Sequence, residues 1–286
     1  MRSILKALPL LALAANVEAR SCGNEHVPQN VMNNARMLYK QEQRANARTL
    51  QSWQDETLNI NTYFHVISTD DTVEGGNIPD DMLKAQLDAL NRDYAQIGIT
   101  FDLKGTTRTV SEKFANDPDE EGTAMKKELR NGTYADLNLY FRKLTGGLLG
   151  ICVFPENVEE GSDTFKNDGC QCHTDTLPGG SLKPYDEGKT CTHEVGHWLG
   201  LFHTFQGGCK GGDLVDDTPP ESSPAFGCPK DRDTCKGDDL KDPINNFMDY
   251  SDDACMTEFT PGQKTRVMSC WKEFREKWNA QPGEDA

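Results

Sequence analysis

His193-Glu194-Val195-Gly196-His197-Trp198-Leu199-Gly200-Leu201-Phe202-His203 reads H-E-x-x-H-x-x-G-x-x-H, and each fixed position has a chemical reason to be there. Two histidines four residues apart on a helix project from one face, so both imidazoles can reach one metal ion. Glu194 follows the first of them and points toward water on that metal, where a carboxylate acts as general base. Gly200 ends the helix in a left-handed conformation that other residues resist, and His203 returns as third ligand. Three protein ligands leave a position for water, the arrangement of a catalytic zinc site rather than a closed structural one. The plain alternative is an amphipathic core helix that carries three histidines by chance. The complete spacing favours the metal site, on a helix expected from about Asp186 to Leu199.

Downstream, residues 204–262 are rich in Gly, Pro, Asp and Cys with little periodicity, the texture of ordered irregular loops stapled by disulfides. Thr260-Pro261-Gly262-Gln263 then supplies a capping Thr, a Pro at the first helical position and a Gln at the third. Val267, Cys270, Trp271, Phe274 and Trp278 form the apolar stripe of a last helical element.

Upstream, a helix is expected from about Val31 to Leu50 and a first strand within Gln51–Ser68, where Leu58, Ile60, Thr62, Phe64 and Val66 alternate. Pro79 opens a helix with Met82, Leu83, Leu87, Leu90, Tyr94 and Ile97 on one face. Ile99–Val110 reads as a strand, Ala124–Arg130 as a short helix, and Leu137, Leu139 and Phe141 as another strand after the Asn131-Gly132 turn. Leu148–Phe154 follows as an apolar strand. The order implies an α/β (α+β) sandwich with a mixed sheet.

The chain's first residues bear on compartment. Arg2 and Lys6 flank an apolar run from Ile4 to Ala15, and Val17-Glu18-Ala19 is a small-x-small cleavage site, so residues 1–19 read as a signal peptide. The run is shorter than the roughly 20 residues a bilayer requires, and Pro9 disfavours a buried helix. Ten cysteines in a secreted chain imply disulfides rather than a second metal cluster. With 46 acidic and 30 basic residues the net charge is −16, which argues against nucleic acid or an anionic membrane as partner. The chain is expected to act as a monomer.

The eleven-residue signature, followed by Asn246-Phe247-Met248-Asp249-Tyr250, resembles the metzincin clan of zinc endopeptidases, with Met248 matching the methionine turn beneath the histidines. Gly212-Asp213-Leu214-Val215-Asp216-Asp217-Thr218-Pro219-Pro220 and the stretch through Ser251-Asp252-Asp253-Ala254-Cys255 look like the pappalysin (cytophagalysin) family, to which ulilysin and many secreted fungal metalloproteases belong. The resemblance is dense over about residues 186–270 and weaker over 55–185. It implies a metzincin two-lobed catalytic domain over residues 53–286. A twisted mixed sheet and helices would lie above the cleft (about 53–200), with an irregular disulfide-rich lobe and C-terminal helix below (about 201–286). Residues 20–52 then form a polar N-terminal segment, a candidate short propeptide.

The resemblance also implies roles for single residues. Tyr250 matches a tyrosine that reaches toward the cleft, where a phenol can donate to the oxyanion of the tetrahedral intermediate; the alternative is a packed aromatic. Asp253 matches an aspartate in the pocket for the side chain just beyond the scissile bond, and would favour Arg or Lys there; the alternative is a salt-bridged surface acid. Cys228–Cys255 and Cys209–Cys235 match family disulfides, while Cys22, Cys152, Cys170, Cys172, Cys191 and Cys270 stay unpaired. Cys170-Gln171-Cys172-His173 has a metal-like look that disulfide formation explains better, and Cys191 departs from the family pattern. Asp213, Asp216, Asp217 and Thr218 are hard oxygen donors on a loop and form a candidate calcium site, or a solvated acidic loop. Cys22 is a candidate latency thiol, able to take the fourth zinc position as in latent metzincins, or a disulfide partner. Asn131-Gly132-Thr133 is a glycosylation acceptor.

These observations lead to a secreted zinc endopeptidase acting on protein or peptide substrates, with Zn2+ at His193, His197 and His203 and a second cofactor, Ca2+, as a candidate. The rival is a secreted binding protein with a zinc-stapled fold and no catalysis; such a protein would have lost its general base, and Glu194 is present.

Overall fold

The computed structural model describes residues 21–279 apart from 118, 120–121 and 238–239, so the expected signal peptide lies outside the described residues. In chain order the elements are β1 (Ser21–Cys22), α1 (Gln29–Arg44), α2 (Ala47–Asp55), β2 (Leu58–Ser68), α3 (Asp80–Tyr94), β3 (Ile99–Val110), α4 (Glu112–Ala115) and α5 (Thr123–Leu129). They continue with β4 (Leu137–Arg142), β5 (Leu148–Cys152), α6 (Asp163–Lys166), β6 (Cys170–His173), α7 (Lys189–Trp198), α8 (Gly208–Gly211) and α9 (Pro261–Cys270). Among the described residues no helix is long and apolar enough to cross a membrane.

The strands form one six-stranded mixed sheet in the order β1-β5-β6-β4-β2-β3. Only β5 runs antiparallel to its neighbour β6; the other pairs are parallel. β4 is buried along its whole length, as expected of a central strand covered on both faces. On one face, α3 and α7 pack through Leu83, Leu90, Tyr94, Val195 and Trp198 against Phe64, Val66, Leu139 and Phe141. Phe247, Met248, Met256 and Phe259 of the irregular lobe continue this core beneath α7.

Several boundaries differ from expectation. The helix expected over Val31–Leu50 is broken at Ala45, and Asn46 caps a second helix by accepting a bond from the Thr49 amide. That helix runs to Asp55, so the strand expected from Gln51 begins at Leu58, and a domain boundary after residue 52 falls within α2. Pro79 is the residue before α3 rather than its first turn. The metal helix starts at Lys189, not Asp186, because Gly188 immediately before it has φ 84°, a left-handed turn incompatible with continuing the helix backward. The strand at Leu148 stops at Cys152 rather than Phe154. Cys170–His173, unassigned as an element from its sequence, is strand β6; four residues flanked by irregular chain carry too little periodicity to announce a strand.

Thr260 forms a full capping box with Gln263 at the start of α9, and the helix passes into a π turn over Trp271–Arg275. α1 lies across α9 and the end of β5, with Val31 and Ala35 against Phe154 and Phe202, and Leu38 against Cys270 and Phe274. Buried Arg266 makes a two-pronged ion pair with Glu42, at 2.8 Å for each nitrogen–oxygen pair. The N-terminal segment is therefore packed onto the body of the molecule.

Candidate metal centre

α7 carries His193, Glu194 and His197 on its buried face, and the turn after it brings His203 alongside. Gly200, with φ 92°, makes that turn possible, and its α-carbon packs so closely on the Cys270 side chain that a β-carbon has no room. The His197 Nε2 atom lies 3.1 Å from Nε2 of both His193 and His203. Each opposite ring nitrogen meets an acceptor: His193 Nδ1 the Phe247 carbonyl at 2.7 Å, His197 Nδ1 the Leu201 carbonyl at 2.8 Å, and His203 Nδ1 the Gln206 side-chain oxygen at 3.0 Å. A carbonyl can only accept, so Nδ1 of His193 and His197 must carry the proton and Nε2 presents its lone pair. Three imidazole lone pairs thus converge on one point, and the donor set fits a borderline-soft divalent metal.

Cys22 joins them. Its sulfur is 3.4 Å from His197 Nε2, and the four ligand atoms of Cys22, His193, His197 and His203 all lie within 4.8 Å of one another. Two local devices hold the thiol there. β1 adds to the open edge of β5, pairing Cys22 with Gly150. Asn24 continues the pairing through its side chain, donating to the Cys152 carbonyl at 2.7 Å and accepting from the Cys152 amide at 2.9 Å.

Glu194 sits 1 % exposed under β5. A β-carbon at Gly150 would come within 2.5 Å of Glu194 Cγ, so the strand can approach the glutamate only because residue 150 has no side chain. Met248 lies beneath α7 at Gly196, where a β-carbon would collide with its sulfur. The Tyr250 hydroxyl is 3.3 Å from His203 Nε2, and its ring packs edge-on to those of His203 and Phe205.

α7 itself is fixed at both ends. Asp93 of α3 accepts from Lys189 Nζ at 2.7 Å and from the Thr192 hydroxyl at 2.8 Å. The Tyr94 hydroxyl donates to the Thr192 carbonyl, and burial raises that phenol well above its ordinary value. At the far end the Trp198 indole donates to Asp168, a fully buried carboxylate that also meets Arg275 and Arg130. Burial opposes ionisation of Asp168, but the two guanidiniums and the indole outweigh it and hold the carboxyl below its usual range.

Other expected site residues are placed differently. Asp253 is 1 % exposed, and its Oδ2 accepts from the amides of Glu187 at 2.9 Å and Lys189 at 3.3 Å. It thus anchors the chain entering α7 rather than sitting as a salt-bridged surface acid. The four candidate calcium residues do not converge. Asp213 is buried and accepts from the Val215 amide, whereas Asp216 turns to Tyr39 and Gln43 of α1. Asp217 instead accepts from the Thr260 hydroxyl and Gly262 amide at the start of α9. Each of these acids thus turns to a different part of the protein, and among the described residues they do not gather as one ligand group.

The irregular lobe is bridged by Cys209–Cys235 and Cys228–Cys255, and a third disulfide joins Cys152 to Cys170 across β5 and β6. Cys22, Cys172, Cys191 and Cys270 are buried outside these bridges. Asn131 is exposed at the turn before β4. Gly150, Asp93, Asn24 and Gln206 were not picked out from the sequence; the first three act across tertiary contacts, Gln206 acts on His203 three residues away in irregular chain, and only Gly150, in an apolar strand, carried any local signal.

Residues 181–271 match the family model described as Pregnancy-associated plasma protein-A. The Extracellular metalloprotease 1 of Coccidioides posadasii is 49 % identical over 267 residues, covering 93 % of this chain and 94 % of that protein. The extracellular metalloprotease of Pyricularia oryzae is 46 % identical over 273 residues, covering 95 % of each. Among solved structures, a Tannerella forsythia promirolysin mutant superposes with TM-score 0.68 at 27 % identity, covering 88 % of this chain and 94 % of that one. Mature mirolysin in complex with a cleaved peptide gives TM-score 0.62 at 28 % identity, covering 74 % of this chain and 90 % of that one. With the histidine cluster and the mixed sheet, these likenesses lead to one conclusion: the chain belongs to the pappalysin family of metalloendopeptidases.

Proposed function

We propose that this protein is a secreted zinc endopeptidase produced in a latent form. The observation that carries the reading is the convergence of three imidazole lone pairs, with the proton of His193 and His197 fixed on the opposite nitrogen by a backbone carbonyl. His193, His197 and His203 would hold the zinc, which supplies Lewis acidity and a bound water whose pKa is lowered toward about 7. Glu194, the next residue after a ligand and buried beneath β5, accepts a proton from the attacking water and delivers it to the leaving amine. Tyr250 donates its hydroxyl to the developing oxyanion. Met248 supports the histidines from below. A protein that used its metal only as a staple would have no need of Glu194 in this position.

β5 is the strand beside the catalytic helix, and an extended substrate would bind by pairing with its open edge. In the intact chain Ser21–Cys22 occupies that edge and brings a sulfur ligand to the histidines. We read residues 20–52 as a propeptide and Cys22 as the thiol that excludes water from the metal. The pro-form of mirolysin matches a larger share of this chain than the mature form does, which supports this reading. The extracellular relatives and residues 1–19 support secretion. Asp253, a buried acid where the chain enters α7, is the residue we assign to preference for Arg or Lys beyond the scissile bond, and Asn131 is the site we assign to glycosylation.

The test is casein digestion by the purified, processed protein, read by mass spectrometry beside Glu194→Gln and His203→Ala. Glu194→Gln is expected to keep its zinc and lose about 10²–10⁴-fold in turnover. His203→Ala should lose the zinc itself. Equal cleavage by wild type and Glu194→Gln would remove the glutamate from the mechanism.

A further inference from the structure

Two of the buried cysteines outside the three bridges face each other across the interface between α7 and the sheet. β6 presents Cys170 and Cys172, two residues apart and hence on one face of the strand. That face is the one toward α7, because Cys170 Sγ lies 3.5 Å from the Glu194 carbonyl. From that contact the register follows. Cys172 is two strand residues further on, about 6.6 Å. Cys191 is three helix residues back from Glu194, about 4.5 Å and nearly one turn, so it returns to the same side of α7. Trp198 meets Asp168 just before β6, so α7 and β6 run in opposite directions and the two thiols fall opposite each other. Both side chains are fully buried, within the same apolar cluster as Val195 and Phe141. Cys22, on the same face beyond Gly150, lies two strands from Cys172 and turns its sulfur to His197. Cys170 is bridged to Cys152 directly opposite, and the residue opposite Cys172 on β5 is Gly150, which offers no sulfur.

We propose that Cys172 and Cys191 close a fourth disulfide in the secreted protein, stapling the first turn of the metal-binding helix to strand β6. The chemistry is dithiol–disulfide exchange with a disulfide oxidant such as oxidised glutathione. Each cysteine gives up one proton, the pair gives up two electrons, one S–S bond forms, and the oxidant's S–S bond is reduced to two thiols. The bridge would complete a ladder. Cys152–Cys170 ties the two strands that flank the catalytic helix, and Cys172–Cys191 ties the second of those strands to the helix, two residues before His193. Its consequence is metal retention, because local opening of α7's first turn, which would carry His193 away from the other ligands, is blocked covalently. The proposal rests on the reading of this chain as secreted.

The experiment is peptide mapping of the full chain, purified from the medium of a secreting host and alkylated under denaturing conditions without reduction. A peptide linking Cys172 to Cys191 is expected beside those of Cys209–Cys235 and Cys228–Cys255. If the latter two are bridged and both Cys172 and Cys191 are alkylated, or either is linked elsewhere, the proposal is overturned and secretion stands. If all six are alkylated, the proposal and the oxidising compartment fall together. A second measurement covers function. Cys172→Ala, Cys191→Ala and the double variant should lose zinc to a chelator faster than wild type, by about threefold or more and by the same factor in all three. Rates equal to wild type in the variants would overturn the stapling role.

Discussion

His193 and His197 sit on one helix, yet their usefulness as ligands depends on the Phe247 and Leu201 carbonyls, which fix the protonated nitrogen. The same dependence on one distant contact governs Asp253 and Asp213. Asp253 anchors the entrance to α7 by accepting two backbone amides, which a side-chain amide oxygen could also do. Asp253→Asn should therefore keep the melting temperature, while Asp253→Ala loses about 1 kcal/mol or more, as for a lost helix cap. Both should reduce cleavage before Arg and Lys at least about tenfold, since both remove the charge. A peptide-library profile unchanged in either variant would leave Asp253 with the anchoring role alone. For Asp213, burial pushes the carboxyl from its ordinary 3.8 up to about 7. The folded state thus holds this proton more tightly than the unfolded chain. The resulting stabilisation is complete below about pH 4 and is lost as pH rises through about 7. Asp213→Asn keeps an acceptor for the Val215 amide without a charge to bury, so it should raise the melting temperature at pH 8 and do less at pH 5. A shift of the opposite sign at pH 8 would show that the ionised carboxylate is compensated in the fold.

Among the elements, β5 and α7 define the chemistry by how closely they approach. Gly150 lets the strand lie on Glu194, with a β-carbon there predicted to come within 2.5 Å of Cγ. Gly150→Ala must displace the glutamate, the strand or both, and placement errors of about 1 Å can cost on the order of 10²-fold in rate. We expect turnover to fall at least about tenfold with zinc content unchanged, measured by kinetics and metal analysis on one preparation. Undiminished turnover would mean that the strand has slack. α7 is in turn held by Asp93 at its start and Asp168 at its end, both buried carboxylates paired with cations. Removing one partner from such a pair leaves a buried charge uncompensated, which is why these residues matter to the site without touching it.

At the scale of the whole molecule, the N-terminal segment is a packed layer that also brings a thiol to the histidines. Cys22 reaches the histidines, while α1 covers Phe154 and Phe202 and pairs Glu42 with Arg266. On the proposed latent reading, the layer would hold the thiol beside the metal position at a high effective concentration, so a single sulfur ligand would suffice to displace water. In the uncleaved chain Cys22→Ala should raise peptidase activity about tenfold or more, and after proteolytic removal of the segment variant and wild type should be equal. An uncleaved Cys22→Ala protein no more active than wild type would mean that β1 on the β5 edge blocks substrate by itself, without the sulfur.

The histidine cluster with its adjacent glutamate, the turn at Gly200, the capping box of α9 and the strand and helix order were legible because each is local. Their signals are spacings of two to ten residues along the chain, and such spacings are set by helix pitch, strand alternation and capping geometry. Tertiary structure alone decided the rest. It placed Cys22 on His197 across 175 residues and put Asp253 under α7. It dispersed the acids of residues 213–217 among unrelated partners and laid the strand of Cys172 against the helix of Cys191. Those outcomes depend on which segments the sheet order brings together, and the burial that enforces that order is non-directional and leaves no fixed spacing in the sequence.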